Sequence, residues 1–178
     1  ISALKEMKRE VIIVSSGAIA CGMETLNLKK KPREIEKRQA LASIGQVLLM
    51  KMYMDAFAWE KMRVGQVLLT HEDIKNKDRC LNLMNTLNSL LLMEIVPVIN
   101  ENDALSFTEI KFGDNDNLSA LIAQIIDADL LLLLSDVEGL YDKDPTKHPG
   151  ARLIRLIEKI DESIEQLAEG TKSEKSVG

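Results

Sequence analysis

The sequence predicts an α/β fold, with a mainly parallel sheet covered by helices on both faces. Three observations carry that prediction. Short aliphatic runs of strand length recur at Val11–Val14, Val64–Leu69, Ile95–Ile99 and Leu130–Leu134. Segments with apolar residues at helical spacing separate them, the alternation of a parallel sheet built by right-handed crossovers. The runs end in polar residues: Ser15-Ser16-Gly17, Thr70, Asn100-Glu101-Asn102-Asp103 and Ser135-Asp136. Parallel strands place all of those ends on one edge of the sheet, where open α/β folds hold their ligands.

The elements follow in order. Ile1, Leu4 and Met7 predict a short amphipathic helix closed by Lys8-Arg9-Glu10. Val11–Val14 reads as a strand buried on both faces. The small residues Ser15 to Gly22 then let a ligand approach the backbone, or simply form a tight turn into a helix. After a loop at Pro32, the pattern is helical from about Glu34 to Glu60, with Ile35, Leu41, Ile44, Leu48 and Met52 assigned to one face. Gly45-Gln46 interrupts that pattern; a mid-helix Gly costs about 1 kcal/mol relative to Ala. The pair either permits close packing or marks a break near a site. Met50, Met52 and Met54 read as packing residues.

Val64–Leu69 is the second strand, and His71, alone in the charged Thr70-His71-Glu72-Asp73 loop, reads as a bystander. Leu81, Met84, Leu87 and Leu91 define the next helix. Pro97 cannot donate to a ladder, so the Ile95–Ile99 strand is expected to be irregular or at an edge. Leu118, Leu121, Ile122 and Ile125 share a helix face. Leu130–Leu134 is the fourth strand and Leu153–Ile157 a short fifth. Asp161 is placed to cap a last helix carrying Ile164 and Leu167, stopped by Gly170. The polar tail Thr171–Gly178 reads as a mobile loop.

Composition narrows the function. With 178 residues the chain is expected to form one domain. Aromatic residues make up only 3%, so the core must be aliphatic, and platforms for stacking single-stranded bases are not expected. The formal net charge is -5, and Lys29-Lys30-Lys31 reads as a solvated loop, which argues against a nucleic-acid partner. Cys21 and Cys80 lack metal-ligand spacing and fit a reduced, cytoplasmic compartment. The most apolar stretch, Leu130–Leu134, is far too short to span a membrane.

The chemistry concentrates between Ile99 and Asp116. Asn100-Glu101-Asn102-Asp103 and Gly113-Asp114-Asn115-Asp116 flank the short Ser106–Phe112 segment, between a strand and a helix. Glu101, Asp103, Glu109, Asp114 and Asp116 face a single basic residue there, Lys111. Such carboxylates repel one another unless a cation or a ligand ammonium group intervenes. Asn and Asp side chains can grip an α-ammonium group, a helix N-terminus can receive a carboxylate or phosphate, and carboxylates can bind Mg²⁺. The bland alternative is that these residues cap helices and turns. No Gly-x-x-x-x-Gly-Lys-Ser/Thr loop and no Gly-x-Gly-x-x-Gly after a strand is present, so neither a P-loop enzyme nor a Rossmann dehydrogenase is supported.

Four stretches, in order and spacing over nearly the whole chain, carry a resemblance. They are Val14-Ser15-Ser16-Gly17-Ala18-Ile19-Ala20-Cys21-Gly22, Pro97-Val98-Ile99-Asn100-Glu101-Asn102-Asp103, Lys111-Phe112-Gly113-Asp114-Asn115-Asp116-Asn117-Leu118-Ser119-Ala120 and Leu133-Leu134-Ser135-Asp136-Val137-Glu138-Gly139-Leu140-Tyr141. The chain resembles the amino acid kinase family, and within it the branch that phosphorylates the γ-carboxylate of glutamate in proline synthesis. The Asn-Glu-Asn-Asp and Gly-Asp-Asn-Asp pair separates that branch from siblings acting on N-acetylglutamate, aspartate or carbamate.

The resemblance implies a three-layer αβα sandwich and the use of ATP with Mg²⁺. By position, Ser16, Asp103 and Asn115 would bind L-glutamate, and Asn100 and Asp114 would support that pocket. Asp116 would organise catalytic lysines, and Ser135 and Asp136 would meet the nucleotide. The resemblance also implies feedback by proline, for which the Thr70–Asp73 loop is a candidate, a homo-oligomer, and a reductase partner that consumes γ-glutamyl phosphate. Two other readings stay open: the kinase part of a bifunctional pyrroline-5-carboxylate synthase, and a non-catalytic glutamate- or proline-sensing module.

The chain departs from the family pattern at both ends. The family's Lys in a Gly-Ser loop after its first strand, and a second Lys after a Gly-Thr-Gly-Gly-Met-like loop, have no counterpart here. Residues 1–178 are therefore expected to form an amino acid kinase domain incomplete at both ends, and to be inactive in isolation.

Overall fold

The structure, a computed structural model, describes residues 1–105, 115–135 and 137–169. Among these, three strands form one parallel sheet in the order β1-β3-β2: β1 (Ile13–Val14), β2 (Arg63–Leu69) and β3 (Ile95–Glu101). The helices are α1 (Ser2–Glu6), α2 (Ala18–Thr25), α3 (Ile35–Ala58), α4 (His71–Lys75), α5 (Lys77–Leu92), α6 (Asn115–Ile125) and α7 (Glu162–Glu169). Two compact units divide the chain, Ile1–Leu131 and Leu132–Val177. The sheet and helices α1 to α6 lie in the first, and α7 in the second.

The pleat of β3 separates two kinds of packing. Ile99 turns to one face, where Leu83 and Leu87 of α5 and Leu118 and Ile122 of α6 close an aliphatic core with Leu69. Burying a Leu side chain this fully contributes about 1.5–3 kcal/mol. Asn100 turns to the opposite face, onto α3. Helices therefore cover both faces, the αβα arrangement expected of the sequence.

Helix α3 runs unbroken through Gly45-Gln46, so that pair serves close packing and not a break. A Cβ at Gly45 would overlap the Ala18 carbonyl oxygen of α2, and one at Gly22 would overlap that of Leu41. The buried face of α3 is Leu41, Ala42, Gly45, Gln46, Leu49 and Met50. That is rotated from the face expected of the sequence: Ile35, Ile44 and Met52 are exposed, as is Met54, a packing residue on the sequence reading, because the small residues decide which side can approach α2.

The expectation that Pro97 would put its strand at an edge is overturned, since β3 is the central strand. The geometry shows why Pro is accepted. Ile99 turns its carbonyl to β1, where the Ser15 N–H donates to it at 2.8 Å, and Pro97, two residues earlier, turns its backbone the same way. Strand β1 begins to pair only at Ile13, opposite Val98. The missing N–H thus falls where no neighbouring strand pairs with it.

Leu130–Leu134 forms no strand, contrary to expectation. Its five leucines are between 39% and 97% exposed, and the division between the two units falls inside the run. An aliphatic run states a preference for burial, but a strand also needs a hydrogen-bonding edge, and β1 is only two residues long. The expected strand at Leu153–Ile157 reduces to one antiparallel bridge between Tyr141 and Leu153. Asp161 caps α7 as expected: its Oδ1 accepts from the backbone N–H of Ser163 and Ile164, at 3.0 and 3.1 Å. Gly170 and the tail after it lie outside the described residues. No helix among the described residues is long and apolar enough to cross a membrane.

Candidate functional site

Each element of the sheet edge delivers one polar group. Strand β1 ends in Ser15, which is buried, with its Oγ 2.9 Å from the Tyr53 hydroxyl of α3. The chain then turns through Ser16 and Gly17, whose φ of 103° is natural for glycine and starts α2. Strand β3 delivers Asn100, almost fully buried. Helix α6 opens with Asn115.

Asn115 joins these elements. Its Nδ2 donates to the Ser15 carbonyl, to Ser16 Oγ at 2.6 Å and to Asn100 Oδ1 at 3.1 Å. Two N–H groups serve three acceptors, so one of them is shared. Asn100 is fixed from the other side as well: its Oδ1 accepts from the Glu101 N–H at 2.8 Å, and its Nδ2 donates to Gln46 Oε1 at 2.9 Å. Because buried amides are costly to leave unpaired, this network sets the orientation of every member. Ser16, Asn100 and Asn115, distant in sequence, are brought into one constellation.

Beside it lies a cleft of about 230 Å³, lined by Ala42, Gln46, Gln66, Glu101, Asn102 and Asp103 among others. Asp103 is thus placed on the cleft wall. Two carboxylates on one wall favour a ligand group of positive charge. Asp116 is exposed in the first turn of α6, where a negative charge suits the helix dipole, and its backbone carbonyl accepts from Ser119 Oγ at 2.7 Å. Ser135 belongs to the second unit; it is exposed, and its Oγ accepts from the Val137 N–H at 3.4 Å. Asp114, Asp136 and Lys111 lie outside the described residues. Among the described residues, no group of three or more His, Cys, Asp or Glu side chains is placed to hold a metal ion.

The Thr70–Asp73 loop is the capped start of α4. Burial works to raise the Asp73 carboxyl, but hydrogen bonds from the Thr70 hydroxyl and N–H, at 2.6 and 2.7 Å, and from Arg79 at 3.0 Å hold it below the usual carboxylate range.

Two residues of the network, Gln46 and Tyr53, were not among the sequence candidates. Gln46 had a signal. It occupies the stripe 41, 42, 45, 46, 49, 50, whose other members are small or apolar, and a polar residue in such a stripe needs a buried partner.

A family model described as the amino acid kinase family matches residues 1–175. The chain belongs to the amino acid kinase family. Within it, the chain is similar to proteins named glutamate 5-kinase. It is 51% identical to that of Meiothermus ruber over 168 residues, covering 94% of this chain and 45% of the relative. It is 52% identical to that of Thermus thermophilus over 161 residues, 90% of this chain and 44% of the relative. Against that of Pelobacter propionicus the identity is 46% over 178 residues, all of this chain and 48% of the relative. The chain spans about half the length of the curated relatives it matches.

Proposed function

We propose that this chain is the amino-acid-binding part of a kinase that transfers the γ-phosphoryl group of ATP to the γ-carboxylate of L-glutamate, giving γ-glutamyl phosphate and ADP. The observation that carries the reading is the Asn115 amide, which ties Ser16 and Asn100 into one polar edge beside an acid-lined cleft. That edge occurs in a chain about half identical to proteins named glutamate 5-kinase.

A carboxylate nucleophile is ionised at neutral pH and needs no base. One of its oxygens forms a bond to the γ-phosphorus as the bond to the β,γ-bridging oxygen breaks. ADP leaves with that electron pair, and no proton has to move. Catalysis is then positioning and charge neutralisation. Ser16 and Asn115 hold the γ-carboxylate end, Asn100 and Asp114 support them, and Asp103 meets the ammonium group. Asp116 orients the groups that neutralise the transferring phosphoryl. Ser135 and Asp136 contact the nucleotide. The carboxylates of Asp103 and Asp116 are hard oxygen donors of the kind Mg²⁺ accepts, directly or through water. The ion would neutralise phosphate charge when bound with ATP.

The same reading assigns feedback by proline to the Thr70–Asp73 segment, self-association to the whole protein, a cytoplasmic setting, and a reductase as the consumer of the acyl phosphate. The test is ATP-dependent acyl-phosphate formation trapped with hydroxylamine, on the full-length protein and its Asp116→Ala variant. Glutamate-dependent hydroxamate from the parent, and a fall of at least about 100-fold in the variant, is the expected result. No signal from an ATP-binding parent would overturn the glutamate assignment.

A further inference from the structure

The amide network has a direction, and the direction ends on an unused donor. The backbone N–H of Glu101 can only donate, so the atom of Asn100 facing it at 2.8 Å must be the carbonyl oxygen. The other end of that amide, Nδ2, therefore faces Gln46. Only an acceptor answers it, so Gln46 presents Oε1, at 2.9 Å. With its oxygen committed, Gln46 has Nε2 left over. That atom is buried and has no hydrogen-bond partner among the described residues, in a residue only 8% exposed. Stranding a buried donor is costly, a burden that a binding site explains and a mere structural strut does not.

Gln46 also lines the cleft, and so does Glu101, whose Oε1 is buried and likewise without a partner. One orphaned donor and one orphaned anionic acceptor on the wall of one cleft are complementary to a zwitterion. A carboxylate satisfies the amide N–H, and an ammonium group, met by Asp103 in the reading above, is shared with the Glu101 carboxylate.

We propose that Gln46 is a specificity-determining residue that donates from Nε2 to the α-carboxylate of the amino-acid substrate. This rests on the kinase reading above and adds to it which end of the substrate lies on α3. The γ-carboxylate lies toward Ser16 and Asn115, and the α-carboxylate toward Gln46. Selection between a free α-carboxylate and its uncharged amide is then made by this one side chain.

The experiment compares L-glutamate with its α-amide, which keeps the reacting γ-carboxylate. The hydroxamate assay gives kcat/KM for both, on the full-length protein and on Gln46→Glu, which keeps an acceptor for Asn100 while replacing the donor by a negative charge. The parent is expected to favour glutamate by about 10- to 100-fold, the range of a charge-assisted hydrogen bond. In the variant that ratio is expected to fall to near one or to invert. Being measured within one preparation, the ratio does not depend on the folded fraction. If Gln46→Glu does not fold, Gln46→Met, which has neither donor nor acceptor, is expected to flatten the ratio as well. A parent that favours glutamate while the folded variants keep its ratio, losing both substrates alike, overturns the role of Gln46 and leaves the kinase reading standing. A parent that uses neither substrate overturns both.

Discussion

Ile99 and Asn100 are neighbours on β3 and are about equally buried, yet they belong to different regions. Ile99 faces α5 and α6 in a core that contains only aliphatic side chains. Asn100 faces Gln46 of α3, and its surroundings are hydrogen bonds. The first face gains stability from area removed from water and is indifferent to direction. The second gains little net stability, because each of its hydrogen bonds replaces one to water, but it fixes orientation. Burial alone does not distinguish a residue that holds the fold from one that orients a polar network; the chemistry of its partners does.

That contrast can be broken by mutation. Leu87→Ala removes a side chain with no exposed surface from the aliphatic face, and is expected to destabilise the full-length protein by about 3–4 kcal/mol in urea unfolding. The glutamate KM of the protein that remains folded should hardly change. Asn100→Ala leaves Asn115 its serine acceptors but strands the Gln46 carbonyl oxygen and the Glu101 N–H, and is expected to lower stability by about 2 kcal/mol while affecting glutamate use far more than Leu87→Ala does. If the two substitutions moved stability and KM in the same proportion, the division of β3 into two faces would be wrong.

The smallest effect tests the capped start of α4. Asp73 titrates below its ordinary value of 3.8 in the folded chain. Its contribution is therefore fully present above that value and is lost as the pH falls through the lower, folded one. Helix α4 should loosen in acid, seen as faster amide exchange at residues 70–75, and Asp73→Asn should remove that acid dependence. An unchanged pH profile in the variant would place the transition elsewhere.

Much of the fold could be read from the sequence because periodicity reports local preference. The strands at Val64–Leu69 and Ile95–Ile99, the helix α5 between them and the Asp161 cap all follow from spacing and capping chemistry, whereas α4 stands where the sequence reads as a loop. Partners could not be read in this way. Pro97 is central because β1 starts one residue too late to need its N–H, and Leu130–Leu134 is exposed although every residue of it is leucine. Both facts depend on what lies alongside. At the site, Ser16, Asn100 and Asn115 converge because strand ends and helix starts meet at one edge. Gln46 was hidden because a single glutamine in a helix looks like surface until the helix's inward stripe is known.

The crossing of α2 and α3 at Gly45 has a consequence of its own. With the Ala18 backbone lying directly against Gly45, the residues on either side, Ser16 at the mouth of α2 and Gln46 one step along α3, share a single mechanical footing. The spacing between Ser16 and Gln46 is then gauged by the thickness of two bare backbones. A methyl group added at this seam would force α2 and α3 apart, and Ser16 and Gln46 with them. On the kinase reading proposed above, it would reset the length of substrate that fits.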